Sequence, residues 1–251
     1  MGRAPRLVLL CFFLPACGGP DDVGSQREPN IYGADDRMEW YAHPDPSAQA
    51  LARASTMAVI PVERVDVSDP ENVIITDRGT HTAVHVLCAG EAFGEQPISA
   101  RCSATLVAPN VAVSAGHCFD GMDDCMNSAF VFDWLYDAPG SFPSLTIDDV
   151  YYCSSVGAVM NVGDDDYAVL TLDRPVEGPR RPAAVRYAVS PLAYDDPVIV
   201  IGHPAGLPMK IDSGGRVVAM GPTFFETTAD TFSGNSGSGV FLPDGTLVGI
   251  H

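Results

Sequence analysis

The sequence has few basic residues: 14 Lys and Arg stand against 32 Asp and Glu, giving a formal net charge of −18. No cluster of basic residues is visible along the chain, which argues against nucleic-acid binding. The acidic excess favours solubility and carries no information about a substrate. Cys and His pairs at zinc-ligand spacing are also lacking, so we expect no metal site and no cofactor.

The apolar run near the start of the chain is too short to span a bilayer as a permanent helix. This run, Leu7–Leu14, follows two arginines and precedes small residues, which is typical of an export signal over residues 1–17. The end of this segment resembles a bacterial lipobox, in which Cys17 would be lipidated. An ordinary secretory signal remains the alternative, because Pro15 is unusual at its place. We expect an exported protein, held at a membrane only through a lipid anchor.

The rest of the chain divides into a polar stretch and a long strand-rich region. Residues 18–56, rich in Gly, Pro and Asp at first, are predicted to be a tether or pro-region, with a short helix over Gln49–Ser55. Residues 57–251 show many short strand-like segments separated by Gly and Pro turns, which favours an all-β barrel fold. The clearest segments are Ser103–Val107, Val111–Ala115, Tyr167–Leu172, Pro197–Ile201, Gly215–Met220, Ser238–Leu242 and Thr246–Ile250.

The segment Thr231–Gly239 crowds small residues around Ser236. A serine that carries out acyl transfer needs a tight turn, so that its hydroxyl is exposed and nearby amides point at one place. Gly234 and Gly237 allow such a turn. A Gly-x-Ser-x-Gly string alone is weak evidence, since most such strings are ordinary loops.

Two upstream motifs strengthen the prediction that Ser236 is catalytic. They are Ser114–Cys118 around His117, and Asp166–Leu170. A serine hydroxyl needs a base to take its proton, and the base needs a carboxylate to fix its tautomer. The order His117, Asp166, Ser236, with Cys118 after the histidine, resembles the chymotrypsin/trypsin-like serine peptidases over roughly residues 85–251. An α/β-hydrolase esterase would require the order Ser, Asp, His and alternating helices, and this chain has neither.

Three consecutive acids, Asp164, Asp165 and Asp166, compete for the carboxylate role. The family pattern places a large residue, Ala and two aliphatic residues after the aspartate, and only Asp166 has that register. A slip of one residue would turn the acid to the other face of an extended segment. We therefore interpret Asp164 and Asp165 as solvated loop residues.

The resemblance implies two six-stranded antiparallel β-barrels with the triad in the cleft between them. The first would span about residues 57–178 and the second would begin near residue 183. Because the sequence ends at His251, before the family's final strand, we expect the second barrel to be incomplete. A serine endopeptidase acting on polypeptides, expected to be a monomer, is the first interpretation. A truncated, inactive pseudo-peptidase that serves as a surface binding protein is the alternative.

The resemblance also assigns one pair of cysteines. Cys102 and Cys118 flank the hairpin that carries His117 and match the family's histidine-loop disulfide, which would contribute about 3 kcal/mol in the chain-entropy model. Cys125 and Cys153 form a reasonable second pair, and export permits both bonds. Cys88 is left without an assigned partner.

Substrate contacts are implied in the same way. The amides of Gly234 and Ser236 would form the oxyanion hole, and Asn235 stands where trypsins have an Asp needed for zymogen activation. The string Gly-Asn-Ser-Gly-Ser and the segment Ile31–Arg37 resemble the bacterial glutamyl-endopeptidase branch. In that branch a threonine five residues before the serine and a histidine fifteen residues after it bind the substrate carboxylate. Thr231 and His251 occupy these positions, so a preference for Glu is expected. The alternative is that both are ordinary structural residues.

Overall fold

The computed structural model describes residues 31–87, 90–163, 165–186 and 192–251. The expected export signal with Cys17, together with Cys88 and Asp164, lies outside these ranges. The strands are β1 (Arg37–Glu39), β2 (Thr56–Pro61), β3 (Val65–Asp66), β4 (Ile74–Ile75), β5 (Cys102–Ala108), β6 (Val111–Ser114), β7 (Ser128–Val131), β8 (Val150–Val162), β9 (Asp165–Leu172), β10 (Ala184–Val185), β11 (Pro197–Gly202), β12 (Lys210–Met220), β13 (Phe225–Thr227), β14 (Gly239–Phe241) and β15 (Thr246–Ile250). The α-helices are α1 (Pro46–Ser55), α2 (His81–His85) and α3 (Met122–Met126). Among the described residues, no helix is both long and apolar enough to cross a membrane.

Six strands close into an antiparallel barrel in the order β2-β5-β6-β9-β8-β7. Successive side chains of β2 point to opposite faces of the barrel wall, and both faces are buried. Met57 and Val59 pack in the cluster that contains Phe130, whereas Ala58 and Ile60 pack with Trp134 in a second cluster. Because both faces are buried, the strand reads as a continuous apolar run rather than an alternating one.

The second half of the chain forms a seven-stranded sheet with the order β1-β12-β11-β14-β15-β10, and β13 pairs with β12. The described strands of this half form an open sheet, and the expected incompleteness of a second barrel stays a prediction. Strand β1 comes from far upstream and pairs antiparallel with β12, with Arg37 opposite Asp212. The all-β fold class is confirmed.

Part of the segment expected to be a tether packs closely on this sheet. Helix α1 begins at Pro46, three residues before the predicted start, because the side chain of Asp45 caps it by accepting from the Ser47 amide at 2.8 Å. Ala48 and Ala52 on its inner face are buried in the cluster that contains Ile201. Residues 37–55 therefore contribute to the packed core.

A buried ion network joins α1 to the first barrel. Asp133 accepts from Arg53 at 2.8 Å and from Arg180 at 2.8 Å, and Arg180 also donates to Asp149 at 2.6 Å. Burial raises the pKa of Asp133, but the two guanidinium groups outweigh burial and hold it below its ordinary value. Removing Asp133 would leave the buried Arg180 with Asp149 as its one remaining carboxylate partner in this network.

Candidate active site

His117 lies in a short 3₁₀ turn, Gly116–Cys118, that follows β6 at the rim of the barrel. Its position is fixed by a disulfide between Cys118 and Cys102, the first residue of β5, with a Cα–Cα distance of 6.5 Å. Gly116 is required there, since a Cβ at this position would collide with the carbonyl oxygen of Met160. The imidazole is thereby held over the end of the β8–β9 hairpin.

Asp166 lies on β9 and faces His117. Its Oδ2 lies 2.6 Å from His117 Nδ1, and its Oδ1 accepts the His117 backbone amide at 2.9 Å. Burial raises the pKa of Asp166, but the hydrogen bonds and charge of His117 lower it by more. The pKa of Asp166 therefore lies below its ordinary value. The carboxylate therefore orients the ring and favours a proton on Nδ1.

The neighbouring acid has a different place. Asp165 was expected in a solvated loop, but it begins β9 opposite Val162 and is only partly exposed. The loop interpretation of Asp165 is therefore wrong. Asp166 shares one face of β9 with the buried Ala168 and Leu170, and this alternation is the register that the sequence argument used.

Ser236 completes the constellation from the other half of the chain. Its Oγ lies 2.9 Å from His117 Nε2. The loop around it turns through Gly234 (φ 96°) and Gly237 (φ 87°), both in the left-handed region. A Cβ at Gly234 would approach the carbonyl oxygen of His203 to 2.6 Å, so no other residue fits without movement. The structure thus brings His117, Asp166 and Ser236 into one hydrogen-bonded row.

The amides of this loop fall into two groups. Those of Asn235, Gly237 and Ser238 donate to backbone carbonyls of Phe232, His251 and Asn235, respectively. Those of Gly234 and Ser236 have no acceptor within the part of the chain that the structure describes. These two amides flank Asn235 and lie beside the Ser236 hydroxyl. Free amides in this position can stabilise a developing oxyanion.

Asn235 itself is buried and has a structural contact. Its Oδ1 accepts a hydrogen bond of 3.1 Å from the Ser238 hydroxyl. This neutral side chain supports the turn from within the loop, and it could not supply the negative charge that pairs with a new N-terminus in trypsin activation.

A cavity of about 960 Å³ opens beside the triad and includes Asp166, Thr231 and His251 in its lining. Its lining comes from β12 and β13 with their connecting turn, from β14 and β15, and from the start of β9. The two residues proposed to bind a carboxylate therefore open onto one space. Tyr32, from the segment ahead of β1, also lines it.

His251 is tied to the serine loop through its backbone. Its carbonyl accepts the Gly237 amide at 2.6 Å, and its amide donates to the Ser238 carbonyl at 2.9 Å. The residue has appreciable exposed surface, but the protein packed around its imidazole lowers its pKa, and the nearby His117 lowers it further.

Two residues that support the loops around the site were missed by sequence reasoning. Ser103 is fully buried, and its hydroxyl donates to the Gly234 carbonyl at 2.9 Å and accepts from the His203 amide at 2.9 Å. Asp230, directly before Thr231, accepts two backbone amides from residues near the start of the described chain. An acid between Ala229 and Thr231, in a stretch of small residues, was the available signal for Asp230.

The profile of the trypsin-like peptidase domain matches residues 102–250 of the sequence. The chain belongs to the trypsin-like peptidases. The peptidase domain contains the disulfide that the resemblance implied, Cys102–Cys118, and the expected second pair, Cys125–Cys153. Comparison with the sequences of curated proteins finds no significant match.

Solved structures place this trypsin-like domain in the chymotrypsin-type fold. A Glu endopeptidase solved in complex with MPD aligns with a TM-score of 0.55 and 19% identity, covering 88% of this chain and 86% of the other. A scabies mite inactivated protease paralogue aligns with a TM-score of 0.50 and 16% identity, covering 80% and 83%. At these identities the likeness shows the fold alone, and the predicted fold family is confirmed.

Proposed function

We propose that this trypsin-like peptidase is an active serine endopeptidase that uses Ser236, His117 and Asp166. The observation that carries the proposal is the pair of contacts at His117, 2.6 Å to Asp166 and 2.9 Å to Ser236. A non-catalytic binding protein would not need both contacts at once. The hydrogen-bonded row therefore favours catalysis over the pseudo-peptidase alternative.

The chemistry follows from this row. Ser236 Oγ attacks the peptide carbonyl as His117 Nε2 takes the hydroxyl proton, and the carbonyl oxygen becomes an oxyanion facing the amides of Gly234 and Ser236. His117 then gives its proton to the leaving amine, the C–N bond breaks, and an ester to Ser236 remains. A water attacks this ester with His117 again as base, which releases the acid and restores the hydroxyl. Asp166 stays ionised throughout and stabilises the imidazolium.

The test is cleavage of casein and labelling by a fluorophosphonate. Ser236→Ala should lower turnover by about 10⁵–10⁶-fold and abolish labelling. Ser233→Ala, at an exposed serine of the same loop, is the matched control and should retain both. Casein cleavage that survives Ser236→Ala in purified protein would reject the proposal.

We further propose a preference for Glu before the cut bond. The support is that Thr231 and His251 line one cavity. Its described lining contains no Lys or Arg, and its acidic residues are Asp165, Asp166, which is paired with His117, and Glu226. A hydroxyl and an imidazole can donate hydrogen bonds to a carboxylate without burying an unpaired positive charge, which would be costly. The preference should weaken as rising pH removes the proton of His251, at lower pH than for an ordinary histidine because its pKa is lowered.

Paired peptides that differ only in Glu or Gln before the cut bond test this preference, because the two side chains have the same shape. Thr231→Val and His251→Leu should each reduce the Glu/Gln ratio of kcat/KM by about tenfold, the effect of one hydrogen bond to a charged group. A library digest showing cleavage mainly after Lys, Arg or aromatic residues would reject acidic specificity and leave the peptidase proposal standing.

Export and anchoring through Cys17 belong to the same proposal. They are supported by the signal-like sequence of residues 1–17 and by two disulfides, which persist in oxidising compartments. Mass spectrometry of the mature N-terminus is the test. A lipid-modified Cys17 is expected, and an unmodified N-terminus beyond residue 17 would show a simple secreted enzyme.

A further inference from the structure

Asp230 is a buried acidic residue directly before Thr231, and the residue is 2% exposed. Its Oδ1 accepts the backbone amide of Tyr32 at 2.7 Å, and its Oδ2 accepts the amide of Asp36 at 2.7 Å. A buried carboxylate needs hydrogen-bond donors to offset its lost hydration. Here both oxygens are engaged by one segment, residues 32–36, which lies nearly two hundred residues upstream.

The residue directly after this segment contacts the residue on the other side of Thr231. Arg37, which is buried, lies 4.3 Å above the ring of Phe232, and its guanidinium is held in place by Asp35 through hydrogen bonds of 2.8 and 2.7 Å. Residues 32–37 therefore contact Asp230 by hydrogen bonds and Phe232 by cation–π stacking. Thr231, which lines the cavity, lies between these two contacts.

A third contact fixes this arrangement to the sheet. The Asp230 amide donates to Oδ2 of Asp212 on β12, and Asp212 lies opposite Arg37 in the pairing of β1 with β12. Residues 32–37, strand β12 and Asp230 are thus joined by hydrogen bonds into one connected unit.

The orientation of Asp230 matters for substrate charge. Although its two chain neighbours line the cavity, Asp230 does not, because its carboxylate is turned toward the amides of residues 32 and 36. A carboxylate released from these amides would lie beside the cavity with unmet hydrogen-bonding capacity. It would then repel an acidic substrate side chain and attract a basic one.

We infer that Asp230 is a positioning residue and that residues 32–36 are a specificity-determining part of the substrate site: by engaging Asp230, they hold Thr231 in place and keep the Asp230 carboxylate turned away from the cavity. This inference rests on the peptidase activity proposed above and extends it to a part of the chain outside the matched domain profile.

The docking can be tested without any activity. Hydrogen exchange of the Tyr32 and Asp36 amides should be slow in the unmodified protein and fast in Asp230→Ala, while exchange in barrel strand β9 stays unchanged. Slow exchange of both amides in Asp230→Ala would overturn the docking. This measurement remains decisive even if the protein fails to react with a fluorophosphonate, an outcome that would reject only the proposed function.

Specificity is tested with two fluorogenic peptides that differ only in Glu or Lys before the cut bond. Asp36→Pro removes one amide donor and should lower the Glu/Lys ratio of kcat/KM by about tenfold or more, the scale of one hydrogen bond to a charged group. Asp36→Ala keeps the amide and should move the ratio far less. An equal shift in both variants would show a side-chain effect and overturn the inference.

The double variant Asp36→Pro/Asp230→Ala separates the effect of the Asp230 charge from the effect of undocking residues 32–36. Released Asp230 is the source of the new Lys cleavage, so this cleavage should disappear in the double variant. Lys cleavage that persists without Asp230 would overturn the role of its charge. Fluorophosphonate labelling of Asp36→Pro shows that its serine site is intact, so the changed ratio would then reflect the cavity rather than misfolding.

Discussion

The backbone amide of Ser103 donates a hydrogen bond of 2.8 Å to the carbonyl oxygen of Ser236. This contact crosses from strand β5 of the barrel to the loop of the second sheet. Its neighbour Cys102 is bonded to Cys118, which directly follows His117. A single disulfide and one backbone hydrogen bond therefore hold the base and the serine in a common frame.

Removing the Cys102–Cys118 bond should lower both stability and turnover. Closing a loop of 16 residues is worth about 3 kcal/mol in the chain-entropy model, and the lost constraint also frees His117 relative to Ser236. The double variant Cys102→Ala/Cys118→Ala should show this loss in urea unfolding, with reduced kcat. The matched control is Cys125→Ala/Cys153→Ala. Its loop of 28 residues has a similar predicted stabilisation, but neither cysteine is next to His117 or Ser103. Equal kcat losses in both pairs would contradict the alignment role.

Ser103→Ala should reduce activity through the serine loop. The variant removes a fully buried hydroxyl that bonds the Gly234 carbonyl and the His203 amide, so about 1–3 kcal/mol of stability should be lost. Ser55→Ala removes another fully buried hydroxyl, bonded to Leu51 in α1, and serves as the control. We expect both variants to be less stable in urea but only Ser103→Ala to have lower kcat. A normal kcat in Ser103→Ala would show that the loop does not depend on this hydroxyl.

His203 should contribute to acid denaturation. Complete burial lowers its pKa to about 3, a shift only partly offset by its hydrogen bond to the Leu207 carbonyl. Since the unfolded chain binds the proton below about pH 6.5 and the native protein does not, stability is lost as pH falls from there toward 3. The stability deficit of His203→Gln should therefore shrink on acidification, by up to about 1.4 kcal/mol per pH unit. Urea unfolding across this range measures it, with the exposed His85→Gln as control; the same pH dependence in both variants would refute the assignment.

Replacing Lys210, the only lysine in the sequence, should destabilise the protein when no second residue is changed. Lys210 is almost fully buried and donates to Glu39 at 3.2 Å, Gln96 at 2.9 Å and the Pro208 carbonyl at 2.7 Å. Lys210→Met leaves Glu39 buried without its cation and should cost about 3 kcal/mol. The double variant Glu39→Gln/Lys210→Met should recover much of this loss in urea unfolding. No recovery would mean that packing, rather than the unpaired charge, determines the cost.

Sequence patterns predicted the parts of this protein that depend on local order. Strand positions such as Thr246–Ile250 follow from turn signals and alternation along the chain. The choice of Asp166 on β9 and the Cys102–Cys118 pair came from the resemblance to the trypsin-like family. The three residues of the triad were also named from their motifs. These signals are readable because each is carried by a few consecutive residues.

The tertiary structure alone decided the rest. The start of α1, the open sheet and the place of residues 31–37 were not visible in the sequence, and β8 and both short helices were not predicted. Asp230 and Tyr32 are 198 residues apart, and nothing in either local pattern points to the other. Such contacts form because a buried carboxylate must find donors wherever the fold supplies them. The sequence determined which residues could do the chemistry, and the packing of distant segments determined the shape and charge of the cavity beside them.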